Sequence, residues 1–388
     1  MRGETARASW PLIRIVLPLF LGLFGALVIA TLWWTSGRPW FLGPDDRPGV
    51  TDFLAHHIAG SLALEGLGAA AYDHEVFNRR LEALTGGADG HWLGWPYPPF
   101  FILAVVAFAL LPYAWSWLAW LCGTAALLVI ALRLRAETRP FIALVLCTPA
   151  SLACILKGQN GFLSAALIAA SLALLDNRRR VSGVALGLLA FKPHFGLVMP
   201  LLLAATGRWT VFLAAALTVI VSALAATAAF GAGIWPVFVD SARSATADWL
   251  TSETAFAAMQ TVYAVAAPWL GPHGAAVLHG LLAVIILASA LAIWRSEASY
   301  GTRAAAAIAA TFLVAPYAHN HDAVMLGVAA AWLLGDAPHP LKPWEAGLVV
   351  VALLAPAVTL FTWAGWPGIV AASIILAICW RRRASPSA

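Results

Sequence analysis

Asp52 stands in the run Gly49-Val50-Thr51-Asp52-Phe53-Leu54-Ala55-His56-His57, a carboxylate just beyond the first long apolar stretch of the chain. A carboxylate within hydrogen-bond reach of a hydroxyl can take its proton as that oxygen attacks, which makes Asp52 a candidate general base. The plainer reading is a helix N-terminal acid, or an ion-pair partner for Arg79 or Arg80. His56 falls one helical turn from Asp52 on the same face, where it either tunes the acid or sits solvated at the interface. Lys192 precedes Pro193 between two half-length apolar segments. Irregular backbone at membrane depth is tolerated where it lines a cavity or is buried in protein, and an ionisable residue there marks function. A lysine snorkelling to the interface is the alternative. His319, Asn320, His321 and Asp322 form the densest polar cluster. The His319-x-His321 spacing is compatible with a metal, but a third ligand would have to come from elsewhere. Gln159 and Asn160 occupy a similar turn, where Asn160 could also simply cap a helix.

Those residues need a scaffold, and composition names its solvent. The 388 residues are 62% hydrophobic and 11% charged, against roughly 25% charged in a soluble domain. Apolar runs near the length that crosses a hydrocarbon core, about 20 residues, recur along the chain. The short alternating segments of a transmembrane barrel are not visible. The expectation is an all-α, polytopic membrane protein of about ten to thirteen transmembrane or re-entrant helices, forming a single integral domain over residues 1–388. Expected spans are 11–33, 114–132, 141–156, 160–175, the pair 181–191 and 195–206, then 209–230, 273–294, 303–316, 322–335, 345–363 and 366–380. Residues 99–111 are apolar but short, closer to a re-entrant piece.

Short-loop arginines orient the chain. Placing Arg2, Arg7, Arg14, Arg178 to Arg180, Arg208, Arg295 and Arg381 to Arg383 in the cytoplasm puts Asp52, Gln159, Lys192, the segment 231–258 and His319 together on the other side. Arg133, Arg135 and Arg139 agree with that orientation if one apolar piece between 99 and 156 does not cross. The first span reads as a retained signal anchor, too long for a cleaved leader. Cys122, Cys147, Cys154 and Cys379 lie in apolar segments without paired spacing, so no disulfide framework or zinc site is indicated. The net charge of +5 reflects membrane anchoring rather than a nucleic-acid partner. Between the first span and Tyr97 lies a large loop, residues 34–97, within which about 51–72 reads as an amphipathic surface helix. Gln260 falls in a further surface segment.

In order along the chain come Thr51-Asp52-Phe53, Gly66-x5-Tyr72-Asp73, Tyr97-Pro98-Pro99, Lys157-Gly158-Gln159-Asn160, Lys192-Pro193 and Pro316-x2-His319-x2-Asp322. Together these pieces resemble the pattern of glycosyltransferase family 87, polyprenyl-phosphate-sugar-dependent mannosyltransferases of the GT-C superfamily. The resemblance spans roughly residues 45–335. Two positions depart from it: no residue separates Gln159 from Asn160, and His194 follows Lys192-Pro193.

The resemblance implies a multi-pass enzyme of a bacterial inner membrane with its active site facing the periplasm. It would move a sugar, usually mannose, from a polyprenyl-phosphate carrier to a hydroxyl of a glycolipid or polysaccharide acceptor, inverting the anomeric carbon. Asp52 would be the base. Lys192 would face the phosphate and His319 the phosphate or the sugar, with Asp322 capping or orienting the helix that follows, and Gln159, Asn160, Tyr97, His56 and Gln260 would contact sugar or acceptor. The leaving phosphate is already charged, so one base suffices and the paired carboxylates of glycoside hydrolases are not needed. No cofactor and no divalent metal is expected, and the partners are the lipid-linked donor, the acceptor and membrane lipids. The competing class is a multi-span transporter or a lipid-carrier flippase. Against it, no internal repeat is evident and the polar groups gather at one face rather than at mid-membrane.

Overall fold

A computed structural model describes residues 11–87, 94–251, 259–336, 339–362 and 364–384. The basic flank of Arg2 and Arg7 and part of the segment 231–258 lie outside the described residues. Among the described residues the structure is all-helical, and pairing of extended backbone is confined to the isolated bridges Leu42 with Pro48 and Met259 with His319. In chain order the helices are α1 (Leu12–Ser36), α2 (Asp52–Leu64), α3 (His74–Thr85), α4 (Pro99–Ala109), α5 (Tyr113–Arg133), α6 (Arg139–Leu146) and α7 (Pro149–Lys157). There follow α8 (Gly161–Leu174), α9 (Arg179–Leu188), α10 (Val198–Ala205), α11 (Trp209–Phe230), α12 (Ile234–Thr251), α13 (Val262–Trp294), α14 (Tyr300–Val314), α15 (Val324–Leu334), α16 (Pro343–Phe361) and α17 (Pro367–Arg382).

Among the described residues α1, α5, α11, α13 and α16 are long and apolar enough to cross a membrane, and α6 with α7, bent by 57°, makes a sixth candidate span. Leu19, Phe20 and Leu23 of α1 and Leu213, Leu217 and Ile220 of α11 point outward, as lipid-facing side chains do. The remaining apolar sequence is divided into shorter helices. In α15 every residue is buried, and α14 is Ala-rich and nearly as enclosed. A helix that is apolar all round belongs inside, and small side chains let backbones approach closely there. These inner helices are short because polar turns stop them. The break expected at Lys192 is one such stop: α9 runs into a 3-10 turn ending at Phe191, and a second turn, Pro193–Gly196, precedes α10.

Two sets of long-range hydrogen bonds define two ends. At one end Arg208 bonds Asp176 at 2.5 Å, Arg295 donates to the Ala205 carbonyl at 2.7 Å, and the Tyr300 hydroxyl reaches the Leu172 carbonyl. Arg381 and Arg382 close on buried Glu345 at that same end, and the Arg135 guanidinium lies 5.0 Å from the Tyr300 ring. At the other end meet the loops that carry Asp52, Tyr97, Gln159, Lys192 and His319. Arg135, Arg208, Arg295, Arg381 and Arg382 are thus gathered away from the candidate chemistry, whereas Arg38, Arg47, Arg79 and Arg80 belong to the 34–97 loop, where Arg79 pairs with Glu75 and Arg80 with Glu65.

The parity problem has a simple solution, because α4 does not cross. Just before it, the Tyr97 carbonyl accepts from the Tyr72 hydroxyl at 2.8 Å. Just after it, the Tyr113 hydroxyl lies 2.9 Å from Thr51 Oγ1. Both flanks are therefore tied to the Asp52 end, and α5 carries the chain to the end where Arg135 sits. The loop helix also departs from expectation. It ends at Leu64, with a separate 3-10 turn at Gly68–Tyr72, and it is not a surface helix. Phe53, Leu54, Ile58, Ala59 and Leu62 are buried. Gly60 allows the contact with α4: a Cβ there would meet that of Ala109 at 2.7 Å and the Val105 carbonyl oxygen at 3.0 Å.

Candidate active site

Asp52 opens α2, after Thr51 in extended conformation (φ −118°, ψ 161°). The preceding loop is pinned from several sides. Trp40 Nε1 donates to the Leu156 carbonyl at 3.0 Å, Phe41 stacks on Trp117 at 4.2 Å, and Tyr113 Oη bonds both Thr51 and the Gly49 carbonyl. The helix start cannot drift far from the end of α7 or the start of α5.

The turn between α7 and α8 comes directly against it. Gly158 has a left-handed backbone (φ +67°) that ends α7, a conformation glycine adopts without cost. It is also required for space, since a Cβ there would lie 2.6 Å from that of Phe53 and 2.7 Å from Trp117 Nε1. Gly161 does the same on the other side, where a Cβ would fall 2.1 Å from the His321 carbonyl oxygen. Two glycines thus bring the 157–161 turn into contact with both the Asp52 helix and the His319 turn. Gly161→Ala is expected to lower stability by about 1–3 kcal/mol through overpacking against backbone. It should also cut transfer activity by separating the two turns. Thermal unfolding in detergent, with activity measured on the folded fraction, checks this; unchanged stability would mean that the turns can part freely.

Polar contacts follow from that approach. Gln159 Nε2 donates to Asp52 Oδ2 at 3.1 Å, and Gln159 Oε1 accepts from the Asn160 backbone N–H at 3.2 Å and from the Tyr97 hydroxyl at 3.5 Å. Asn160 Nδ2 donates to Tyr97 Oη at 2.7 Å. Tyr97 lies within electrostatic range of both Asp52 and Asp322, and burial pushes its phenol well above the usual range. It is an uncharged hydrogen-bonding group.

Lys192 Nζ donates to Asp322 Oδ1 at 2.5 Å, with Lys192 only 3% and Asp322 1% exposed. Asp322 Oδ2 accepts from the His319 backbone N–H at 2.9 Å and so caps the turn that leads into α15. Burial alone would raise the Asp322 carboxyl, but the adjacent Lys192 ammonium outweighs it and holds the acid well below the ordinary range. Lys192 is therefore not a lone cation, because a carboxylate already offsets its charge. Lys157, half-buried at the end of α7 and close enough to influence His321, has no ion-pair partner among the described residues.

Two expected contact residues are differently employed. The His56 ring does not face the Asp52 carboxylate. It is enclosed by Phe53, Trp95, Tyr97, Phe101 and Trp120, 1% exposed, and its Nδ1 lies 3.3 Å from the Asp52 backbone carbonyl. Burial pulls its pKa down to about 3, so it is a neutral core residue. Gln260 is also consumed: its Nε2 donates to the Ala364 carbonyl and its Oε1 accepts from Gly368 N–H, both at 2.8 Å. It staples the start of α17 to the strand-like contact of Met259 with His319. Sequence reasoning assigns no role to Gly158, Gly161 or Lys157. A glycine on either side of Gln159-Asn160 was the available signal, but not what each would touch.

Chemically, then, this end of the molecule presents a half-buried carboxylate held by an amide, hydroxyl and amide donors beside it, and lysines on the adjoining turns. The sequence model of glycosyltransferase family 87 matches residues 95–316, more than half of the chain. The match contains Tyr97, Gln159, Asn160 and Lys192; Asp52 lies before it and His319 with Asp322 after it, joined to it by the contacts above. No curated protein and no solved structure matches the chain. The protein belongs to glycosyltransferase family 87 and is a multi-span membrane glycosyltransferase.

Proposed function

We propose that the protein transfers a sugar, mannose by family resemblance, from a polyprenyl-phosphate donor to a hydroxyl of a glycolipid or polysaccharide acceptor at the periplasmic face of a bacterial inner membrane. The observation that carries this reading is the meeting of Asp52 with Gln159 on one side, and on the other the approach of Gly161 in the same turn to the His321 carbonyl, next to Asp322 and its partner Lys192. The arginines at the opposite end support the orientation, since positively charged loops stay in the cytoplasm.

In the reaction Asp52 accepts the acceptor's hydroxyl proton as that oxygen bonds to the anomeric carbon from the face opposite the leaving group. The bond from the anomeric carbon to the phosphate oxygen breaks, and its electron pair leaves on the polyprenyl phosphate. Attack from the far side inverts the anomeric centre. The leaving group needs positive charge rather than a proton, and Lys192, Lys157 and His319 lie on the turns that would surround it. Asp322 keeps the Lys192 ammonium in one place before donor arrives, so that little reorganisation accompanies binding.

The test uses the full-length protein in proteoliposomes with radiolabelled polyprenyl-phosphate-mannose and membrane lipid extract. Labelled glycolipid is expected in its presence and not with empty vesicles. Solute uptake without labelled product would overturn the reading in favour of a transporter.

A further inference from the structure

The geometry points to Gln159 as the residue that positions the base: its amide sets the plane of the Asp52 carboxylate, and Asn160 and Tyr97 set the orientation of that amide. This rests on the reading of Asp52 as general base and adds a role that is not sugar contact.

Asp52 is the first residue of α2, and among the described residues Gln159 Nε2 is the donor to its carboxylate. Oδ2 takes that bond, while Oδ1 has no hydrogen-bond partner among the described residues and is the oxygen open to receive the acceptor's proton. Which end of an amide faces a carboxylate is decided by its other partners. Here the Asn160 backbone N–H, which can only donate, lies 3.2 Å from Gln159 Oε1. The Tyr97 hydroxyl adds a second donor to the same oxygen, and Asn160 Nδ2 occupies a lone pair of that hydroxyl at 2.7 Å. With its oxygen claimed, the amide can present only N–H to Asp52. A reversed amide would set oxygen against carboxylate and turn the base away from the incoming hydroxyl. The chain of contacts runs Asn160 to Tyr97 to Gln159 to Asp52, and it is assembled from three separate turns.

A positioning residue affects the chemical step more than binding, and its effect passes through its neighbour. With polyprenyl-phosphate-mannose as donor and lipid extract as acceptor, Gln159→Met, which keeps the volume, should lower kcat by about 10–100-fold with both KM values within about threefold of wild type. Tyr97→Phe should lower kcat by about 3–10-fold, less because the Asn160 N–H still holds the amide. In the Gln159→Met background, adding Tyr97→Phe should cost less than about twofold more, because its route to Asp52 is gone. Multiplicative losses in the double variant, or a rise in KM with kcat unchanged, would overturn the proposal. Melting temperature in detergent separates loss of fold, and Gln159→Leu repeats the test if the Met variant does not fold. Asp52→Asn is measured alongside. If it stays active, the base assignment itself fails; if it is inactive while Gln159→Met behaves as wild type, only the positioning role fails.

Discussion

Asp52→Asn protein is expected to accumulate folded in the membrane and to transfer sugar at least about 100-fold more slowly than wild type, the lower bound of what a positioned general base contributes. The substitution removes the basic oxygen while keeping size and shape. Its side-chain oxygen can still accept from Gln159 Nε2, so the contact between α2 and the 157–161 turn survives. The helix loses a favourable charge in its first turn, worth about 0.3–1 kcal/mol. Packing of Phe53, Leu54 and Ile58 and the Thr51–Tyr113 bond are untouched. The variant thus isolates chemistry from fold. Product formation per mole of folded protein is the measurement, and near-normal turnover would remove Asp52 from the reaction.

The second large effect is on stability. Asp322→Ala should destabilise the protein by roughly 3–5 kcal/mol, because removing one partner of a buried ion pair leaves the Lys192 ammonium without compensation. Loss of the cap on the His319 N–H adds about 1 kcal/mol. Lys192→Met should be damaging for the complementary reason, leaving a buried carboxylate. The double variant Lys192→Met/Asp322→Leu is expected to recover much of the lost stability, since apolar replacement of a buried pair is often neutral or better. It should remain inactive, as the positive charge beside the leaving phosphate is gone. Melting curves of the three variants, with transfer assays on each, decide this. A double variant that is as unstable as the single ones would count against the buried-pair account, and one that is stable and still active would show that the Lys192 charge does not serve the leaving phosphate. The pair also carries a pH signature. The Asp322 carboxyl is held below its unfolded value, so its contribution is complete above the ordinary carboxylate range and is lost as pH falls below it.

Much of the helical framework was legible along the chain. The stretch 209–230 is α11 to the residue, and 114–132 lies one residue inside α5 at each end. Such segments announce themselves through length and continuous apolarity, which need no knowledge of neighbours. The stop at Lys192-Pro193 was equally plain, because proline cannot supply a backbone donor within a helix. Of the long helix α13, the sequence predicts only the part from 273 onward. Its N-terminal part is set off by Pro268, Pro272 and a left-handed Gly271, features that look like a terminus and act as a kink. The apolar spacing of the helix at Asp52 suits an interface and so predicts a surface position. Neither that spacing nor the sequence of α4 shows that Gly60 would let the two pack so closely.

By itself the sequence determined the solvent, the all-helical class, the places where helices must stop and the chemical types available at those stops. These follow from local composition and periodicity, since a helix satisfies its own backbone and a polar break in apolar sequence is visible wherever it occurs. Only the tertiary structure decided that Gln159 reaches Asp52 across 107 residues and Lys192 reaches Asp322 across 130. It also turned His56 into the core and spent Gln260 on backbone bonds. Which turns meet depends on how closely backbones can approach, and at this site that distance is set by the missing side chains of Gly158 and Gly161.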